Sequence, residues 1–329
     1  MAGGWTVLLL AAVLAGSVAL TGSVRGWLQR REIFDHPGER SSHSLPVPRG
    51  GGLAVVAVLI AGGLILASVG HAPRGTAIML GAAAALALLS WRDDLGGLSV
   101  VLRLAAHILA VLLGLAFLDG PVFQGLLPLW LDRTLAALLW VWFVNLYNFM
   151  DGIDGITGLE TVALGLGIAL AAWRAGATGD GAATVALCAA AAALGFLRWN
   201  WHPAQIFLGD VGSVPLGYLL GWLLLLLAGK GLWAPALILP LYYLADATLT
   251  LAFRIRRGER IWQAHRQHFY QHASADGDHA AVAAMIFLGD LVLIALALLA
   301  VAWPVVALAL ACLAVAGLLW LLQQRARHG

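Results

Sequence analysis

Apolar positions run through this chain in long unbroken stretches, and polar positions gather in the gaps between them. A helix crossing a bilayer needs about 20 such residues. Windows of that kind fall at 5–24, 51–70, 76–91, 100–118, 134–150, 159–174, 182–198, 213–229, 232–253, 281–301 and 303–322. The pattern predicts an all-α, polytopic integral membrane protein of about 11 transmembrane helices. Windows 76–91 and 159–174 are short, and only Pro304 divides the last two. No internal repeat is evident, nor any pair of helices broken at mid-membrane depth. The first run has no basic stretch ahead of it, and its first positive charge, Arg25, comes after it. It reads as an uncleaved anchor rather than a signal peptide.

Composition agrees and excludes much. Of 329 residues, 61% are hydrophobic and 11% charged, against about 25% charged in an ordinary soluble protein. The mean hydropathy is +0.89. Two soluble domains, a secreted disulfide scaffold and a soluble Rossmann enzyme are all ruled out. A net charge of +2 is too small to imply a nucleic-acid partner. Cys188 and Cys312 lie inside apolar runs and read as packing residues.

The few charges are unevenly placed. Fifteen of the 19 basic residues fall in alternate loops: Arg25 to Arg49, Arg92 and Arg103, Arg198, Arg254 to Arg266, and Arg325 with Arg327. Arg74, Arg133, Arg174 and Lys230 fall in the others. The positive-inside rule makes the first set cytoplasmic, the N-terminus periplasmic and the C-terminus cytoplasmic. An odd number of helices requires the same. The expectation is one domain over 1–329, multi-pass in a membrane, with its working face in the cytoplasm.

Five inward segments carry the chemistry. In Asp35–Gly52, three prolines forbid a regular helix. Gly50–Gly52 permit close backbone approach, and a helix N-terminus beside His43 and Arg49 would suit a phosphate; a plain connecting loop is the competing reading. Asp93 and Asp94 sit side by side at a helix end. There they repel unless a cation or proton lies between them, and on a regular helix they diverge by about 100°. Asn148, Asp151 and Asp154 recur every three residues among glycines, an oxygen-rich set suited to a hard cation such as Mg²⁺. Asp210, between two glycines, could ligate a metal and could be a helix N-cap, two compatible roles, and Phe207 just before it offers an aromatic face to a base. His265, His268 and His272 imitate a helical metal face, but Arg266 among them favours an anionic ligand such as phosphate.

These aspartates all fall at cytoplasmic helix ends. A transporter would set such groups near the midplane; an enzyme joining a water-soluble phosphate donor to a lipid needs them at the interface. Asp246 and Asp290 lie inside apolar windows, where a carboxylate needs a partner.

The strings RDDLGGLS, NLYNFMDGIDGITGLE, IFLGDVGSVPLG and HRQHFYQH, in this order, resemble the polyprenyl-phosphate N-acetylhexosamine-1-phosphate transferases from Asp35 to His272. The resemblance implies transfer of a sugar 1-phosphate from a UDP-N-acetyl sugar to undecaprenyl phosphate in the bilayer. UMP is released, with Mg²⁺ or Mn²⁺ as cofactor. It makes Asp93 and Asp94 the catalytic pair and Asn148 and Asp210 the metal ligands. It sets Asp154 near the nucleotide, Phe207 on the uracil, and Arg266 and His268 at the pyrophosphate and sugar, and it allows a homodimer. Where the N-acetylglucosamine enzymes carry His-Ile-His-His, this chain has His268-Phe269-Tyr270-Gln271. That pattern resembles the branch that primes O-antigen, part of lipopolysaccharide, on N-acetylfucosamine- or N-acetylquinovosamine-type donors. Two other classes compete. A transporter of lipid-linked sugars would use a similar surface without releasing UMP. A CDP-alcohol phosphotransferase needs a DGxxAR string, and Asp151-Gly152-Ile153-Asp154 has no arginine in place.

Overall fold

The computed structural model describes residues 2–36, 45–179, 181–260, 263 and 265–328. The helices are α1 (Ala2–Arg30), α2 (Gly52–Ser68), α3 (Thr76–Gly96), α4 (Val100–Leu115), α5 (Leu129–Phe149), α6 (Ile156–Arg174) and α7 (Ala182–Asn200), followed by α8 (Asp210–Gly229), α9 (Trp233–Ile238), α10 (Leu241–Arg256), α11 (Phe269–Ala273), α12 (His279–Ala300) and α13 (Pro304–His328). Two short strands, β1 (Phe34–Asp35) and β2 (Val47–Pro48), pair antiparallel beside the entrance to α2.

Every predicted window holds helix, but not as eleven equal spans. Among the described residues, eight helices are long and apolar enough to cross a membrane: α1, α3, α5, α6, α7, α8, α12 and α13. α2 and α4 are apolar but have 17 and 16 residues, or about 25 Å of rise. The window 232–253 is divided, because α9 ends at Ile238 and α10 starts at Leu241. Pro240 between them has no amide to donate and blocks a continuous helix.

α8 is apolar around its whole circumference and buried on nearly every side, as expected of a helix at the centre of a bundle. It packs against α3, α5, α2, α9 and α6, while α1 covers α7 and α2, and α12 lies between α13 and α6. The core is specific as well as apolar. Trp140 of α5 stacks on Tyr218 of α8 at 5.0 Å and donates its indole N–H to the Tyr218 carbonyl at 2.9 Å. Large exposed side chains such as Leu88, Val101, Leu109 and Trp173 form the outer surface, which suits lipid rather than water. This is a multi-pass membrane protein.

Candidate active site

The site begins at the N-terminus of α8. Gly209 precedes it with φ +75°, and no local side chain caps the helix. The reading of Asp210 as the N-cap is therefore corrected, since Asp210 is the first helical residue. Its amide and that of Val211 donate instead to Asp94 of α3, at 3.2 and 3.0 Å. This leaves the Asp210 carboxylate to project outward. Its Oδ1 accepts Arg49 Nη2 at 2.8 Å, and its Oδ2 lies 3.4 Å from Asn148 Nδ2. The same Arg49 nitrogen is 2.8 Å from Asp94 Oδ1, so one guanidinium ties two carboxylates together.

The glycines at 50–52 serve packing. The amides of Gly50 and Gly51 donate to the Phe207 carbonyl at 3.1 and 2.8 Å, and that of Gly52 to the Leu208 carbonyl at 2.8 Å. A phosphate cradle at this N-terminus is therefore overturned: its donors are already used. A Cβ on Gly52 would lie 2.3 Å from Gly212 Cα, so the run exists to let α2 meet α8. His43 lies outside the described residues.

Asp93 and Asp94 diverge because α3 stays helical through Gly96. Asp94 turns inward to α8. Asp93 accepts Arg103 Nη1 of α4 at 2.9 Å. Arg103 is a residue that sequence reasoning used only for orientation; the signal available was a lone charge opening an apolar helix. Asn148, in the last turn of α5, accepts the Ser213 hydroxyl at 2.6 Å.

Two cavities meet here. The first, about 210 Å³, is lined by Asp35, Arg49, Asn148, Asp151, Asp154, Phe207 and Asp210, together with Asn200, Gln271 and His279, which sequence reasoning missed. The second, about 340 Å³, is lined by Asp93, Arg103, His107, Asn148, Asp210, His265 and His268, and by apolar residues including Leu89, Leu104, Trp142 and Leu251. Asn148 and Asp210 are the residues common to both. Arg266 lines neither cavity, and Asp94 stands behind them as support. His272 lines a separate groove. The three histidines form no helical face, because α11 covers only 269–273.

Electrostatics distinguish the groups. Burial pushes Asp151 up to about 7, with the Asp210 and Asp94 charges adding and a hydrogen bond from Thr157 opposing. Burial also opposes ionisation of Asp154. Even so, hydrogen bonds from His279, His202 and the Ala204 amide hold it below its usual range. Its Oδ2 is 2.6 Å from His202 Nδ1 and 3.4 Å from His279 Nδ1. Burial lowers His265 to about 4, helped by the His268 and Arg254 charges. Arg49 loses solvation, but Asp94, Asp210 and Asp35 hold it charged, above its ordinary range.

Residues 76–228 match the family described as Glycosyl transferase family 4, the stretch from α3 through α8 that holds Asp93, Asn148 and Asp210. The chain is 32% identical to a probable undecaprenyl-phosphate N-acetylglucosaminyl 1-phosphate transferase of Bacillus subtilis, over 74% of this chain and 70% of that protein. It is 29% identical to a decaprenyl-phosphate N-acetylglucosaminephosphotransferase of Mycobacterium leprae, over 82% and 77%. It is also 32% identical to a phospho-N-acetylmuramoyl-pentapeptide-transferase of a Synechococcus species, over 69% of each. The chain belongs to the polyprenyl-phosphate N-acetylhexosamine-1-phosphate transferase superfamily. It is a membrane phosphotransferase that acts on a polyprenyl phosphate.

Proposed function

We propose that the protein transfers an N-acetylated hexosamine 1-phosphate from a UDP-sugar to undecaprenyl phosphate, releasing UMP, on the cytoplasmic side of a bacterial inner membrane. The observation that carries this reading is the meeting of two unlike cavities at Asn148 and Asp210. The first, rich in carboxylates and amides with Phe207 on its wall, suits a nucleotide sugar. Phe207 would take the uracil face, with Asp35, Asp154 and Asn200 as polar partners. The second suits a lipid phosphate, its chain along Leu89, Leu104, Leu251 and Trp142 and its headgroup at Arg103, His265 and His268.

The reaction is a direct in-line displacement. An oxygen of the lipid phosphate attacks the sugar-bearing phosphorus of the donor. The bond from that phosphorus to the bridging oxygen breaks, and UMP leaves with the oxygen. Catalysis is then mainly positioning and charge neutralisation. Asp93, facing the second cavity, orients the lipid phosphate or takes its proton. Arg49 and Arg103 face the transferred charge from opposite cavities, a role sequence reasoning had given to Arg266.

Asp93, Asp94, Asp151 and Asp210 outnumber Arg49 and Arg103, the guanidinium groups set among them. An oxygen-rich set short of positive charge fits Mg²⁺, or Mn²⁺ in its place. Asn148 and Asp210 would hold it. When bound, it would neutralise charge on the donor's diphosphate. The product would open an O-antigen or related envelope glycan. The run His268-Phe269-Tyr270-Gln271 supports a donor other than N-acetylglucosamine, although the relatives include enzymes named for N-acetylglucosamine and N-acetylmuramoyl-pentapeptide.

Asp210→Asn tests the assignment. Turnover should fall by at least about 10²-fold, the scale of losing one preorganised electrostatic partner, with the melting midpoint in detergent unchanged. Near-normal turnover in Mg²⁺ would refute the role given to Asp210.

A further inference from the structure

The function proposed above leaves Asp246 unused, although it is the most heavily hydrogen-bonded carboxylate in the molecule's described part. It lies within α10, is fully buried and receives donors on both oxygens. Tyr242 and Thr250, one turn away on either side, donate at 3.0 and 3.3 Å. The amides of Phe269 and Tyr270 donate at 3.1 and 3.2 Å. His268 Nδ1 lies 3.0 Å from Oδ1. Two of these five partners are backbone amides, which only donate, one to each oxygen, and the His268 Nδ1 is placed to donate to Oδ1 as well.

This fixes the imidazole. His268 is itself buried, with its ring against Tyr270 at 5.6 Å and His265 at 4.9 Å. It lines the second cavity beside Asp93, Asn148 and Asp210. With Nδ1 held by Asp246, Nε2 is the one polar atom the ring can offer to that cavity. The bonds to Phe269 and Tyr270 also hold the turn in place. From it the Tyr270 hydroxyl reaches the Phe149 carbonyl at 3.1 Å, next to Asn148.

We propose that Asp246 is a positioning residue of the active site. It holds His268 with Nδ1 protonated and Nε2 presented to a phosphate group in the second cavity. A carboxylate behind a histidine ring fixes its orientation, so Nε2 is the atom that meets the phosphate. This rests on the transferase reading for the nature of the ligand, but its test does not depend on turnover alone.

His268→Asn keeps a donor near the Nδ1 position and removes the reach of Nε2; Asp246→Asn removes the charge and exchanges one of the two acceptor oxygens for an NH2 donor that faces donors. Binding of undecaprenyl phosphate and of unphosphorylated undecaprenol to the detergent-solubilised full chain is measured without any UDP-sugar. KM for each substrate is measured separately. Wild type should prefer the phosphate. Each variant should lose at least about tenfold of that preference, the scale of one hydrogen bond to a charged group, and the double variant should lose no more than either alone. A rise confined to the KM of the UDP-sugar would assign the same grip to the donor's diphosphate. Additive losses in the double variant, or unchanged binding and KM in a folded His268→Asn protein, would overturn the proposal. If Asp246→Asn does not fold, the His268→Asn arm decides alone. Absence of UMP release with the phosphate preference intact would fault the transferase reading and not this one.

Discussion

Asp94 commits both oxygens to structure: one to Arg49 and the Asp210 amide, the other to the Val211 amide. Its side chain is 3% exposed, and it caps the helix at the centre of the bundle. Asp93, one residue earlier, faces a cavity and a half-exposed arginine. Asp94→Asn should therefore cost about 2 kcal/mol of stability, the upper range for a lost cap. Asp93→Asn should cost under about 1 kcal/mol but lower turnover by roughly 10²-fold or more. Thermal melts in detergent beside initial rates separate the two, and equal melting of Asp94→Asn and wild type would contradict the capping role. Asp151 makes a different prediction. Its folded value of about 7 stands above the ordinary 3.8, so the folded state holds the extra proton between those limits. Its contribution to stability is complete below 3.8 and is lost as pH rises through 7. The melting midpoint of metal-free protein should fall between pH 5 and pH 8, and Asp151→Asn should flatten that fall.

The helices and their breaks explain what the sequence made legible. Long apolar windows mark helix because a bilayer demands internal hydrogen bonding over a fixed length, and each window holds helix. The division of 232–253 was readable at Pro240, but hydropathy averaged over 20 residues conceals it. Gly50–Gly52 was read both as a close approach and as a phosphate cradle. The close approach is what the chain makes, because carbonyls of 207 and 208, more than 150 residues on, take the amides. Gly52→Ala sets a methyl against Gly212 backbone and should cost about 1–3 kcal/mol or more, as overpacking does. Gly96→Ala, with nothing within 4 Å of the added carbon, should melt within a degree or two of wild type. The motif aspartates were legible because each stands out in an apolar chain. The pairings of Arg103 with Asp93, His279 with Asp154 and His268 with Asp246, and the place of Asn200, were not: each depends on a contact between separate segments, which spacing along one segment does not encode. Asp290 likewise faces Glu160 of α6, 130 residues away.

In the whole molecule, the ends of α3, α5 and α8 meet, and there Asn148 and Asp210 form the wall between two cavities. On the function proposed above, one cavity takes the water-soluble ligand and the other the lipid phosphate, and the two are joined where the cavities touch. The scarcity of charge serves the same end, since a surface of Leu, Val and Trp suits lipid while Asp93, Asp151, Asp154 and Asp210 gather around the two cavities. The most direct test incubates the purified protein with undecaprenyl phosphate, Mg²⁺ and each of a panel of UDP-N-acetyl sugars, and follows UMP. The account predicts UMP release with at least one donor, dependent on the lipid phosphate and abolished by chelation. Movement of a lipid-linked sugar across the membrane without UMP release, or UMP release that ignores the lipid, would contradict it.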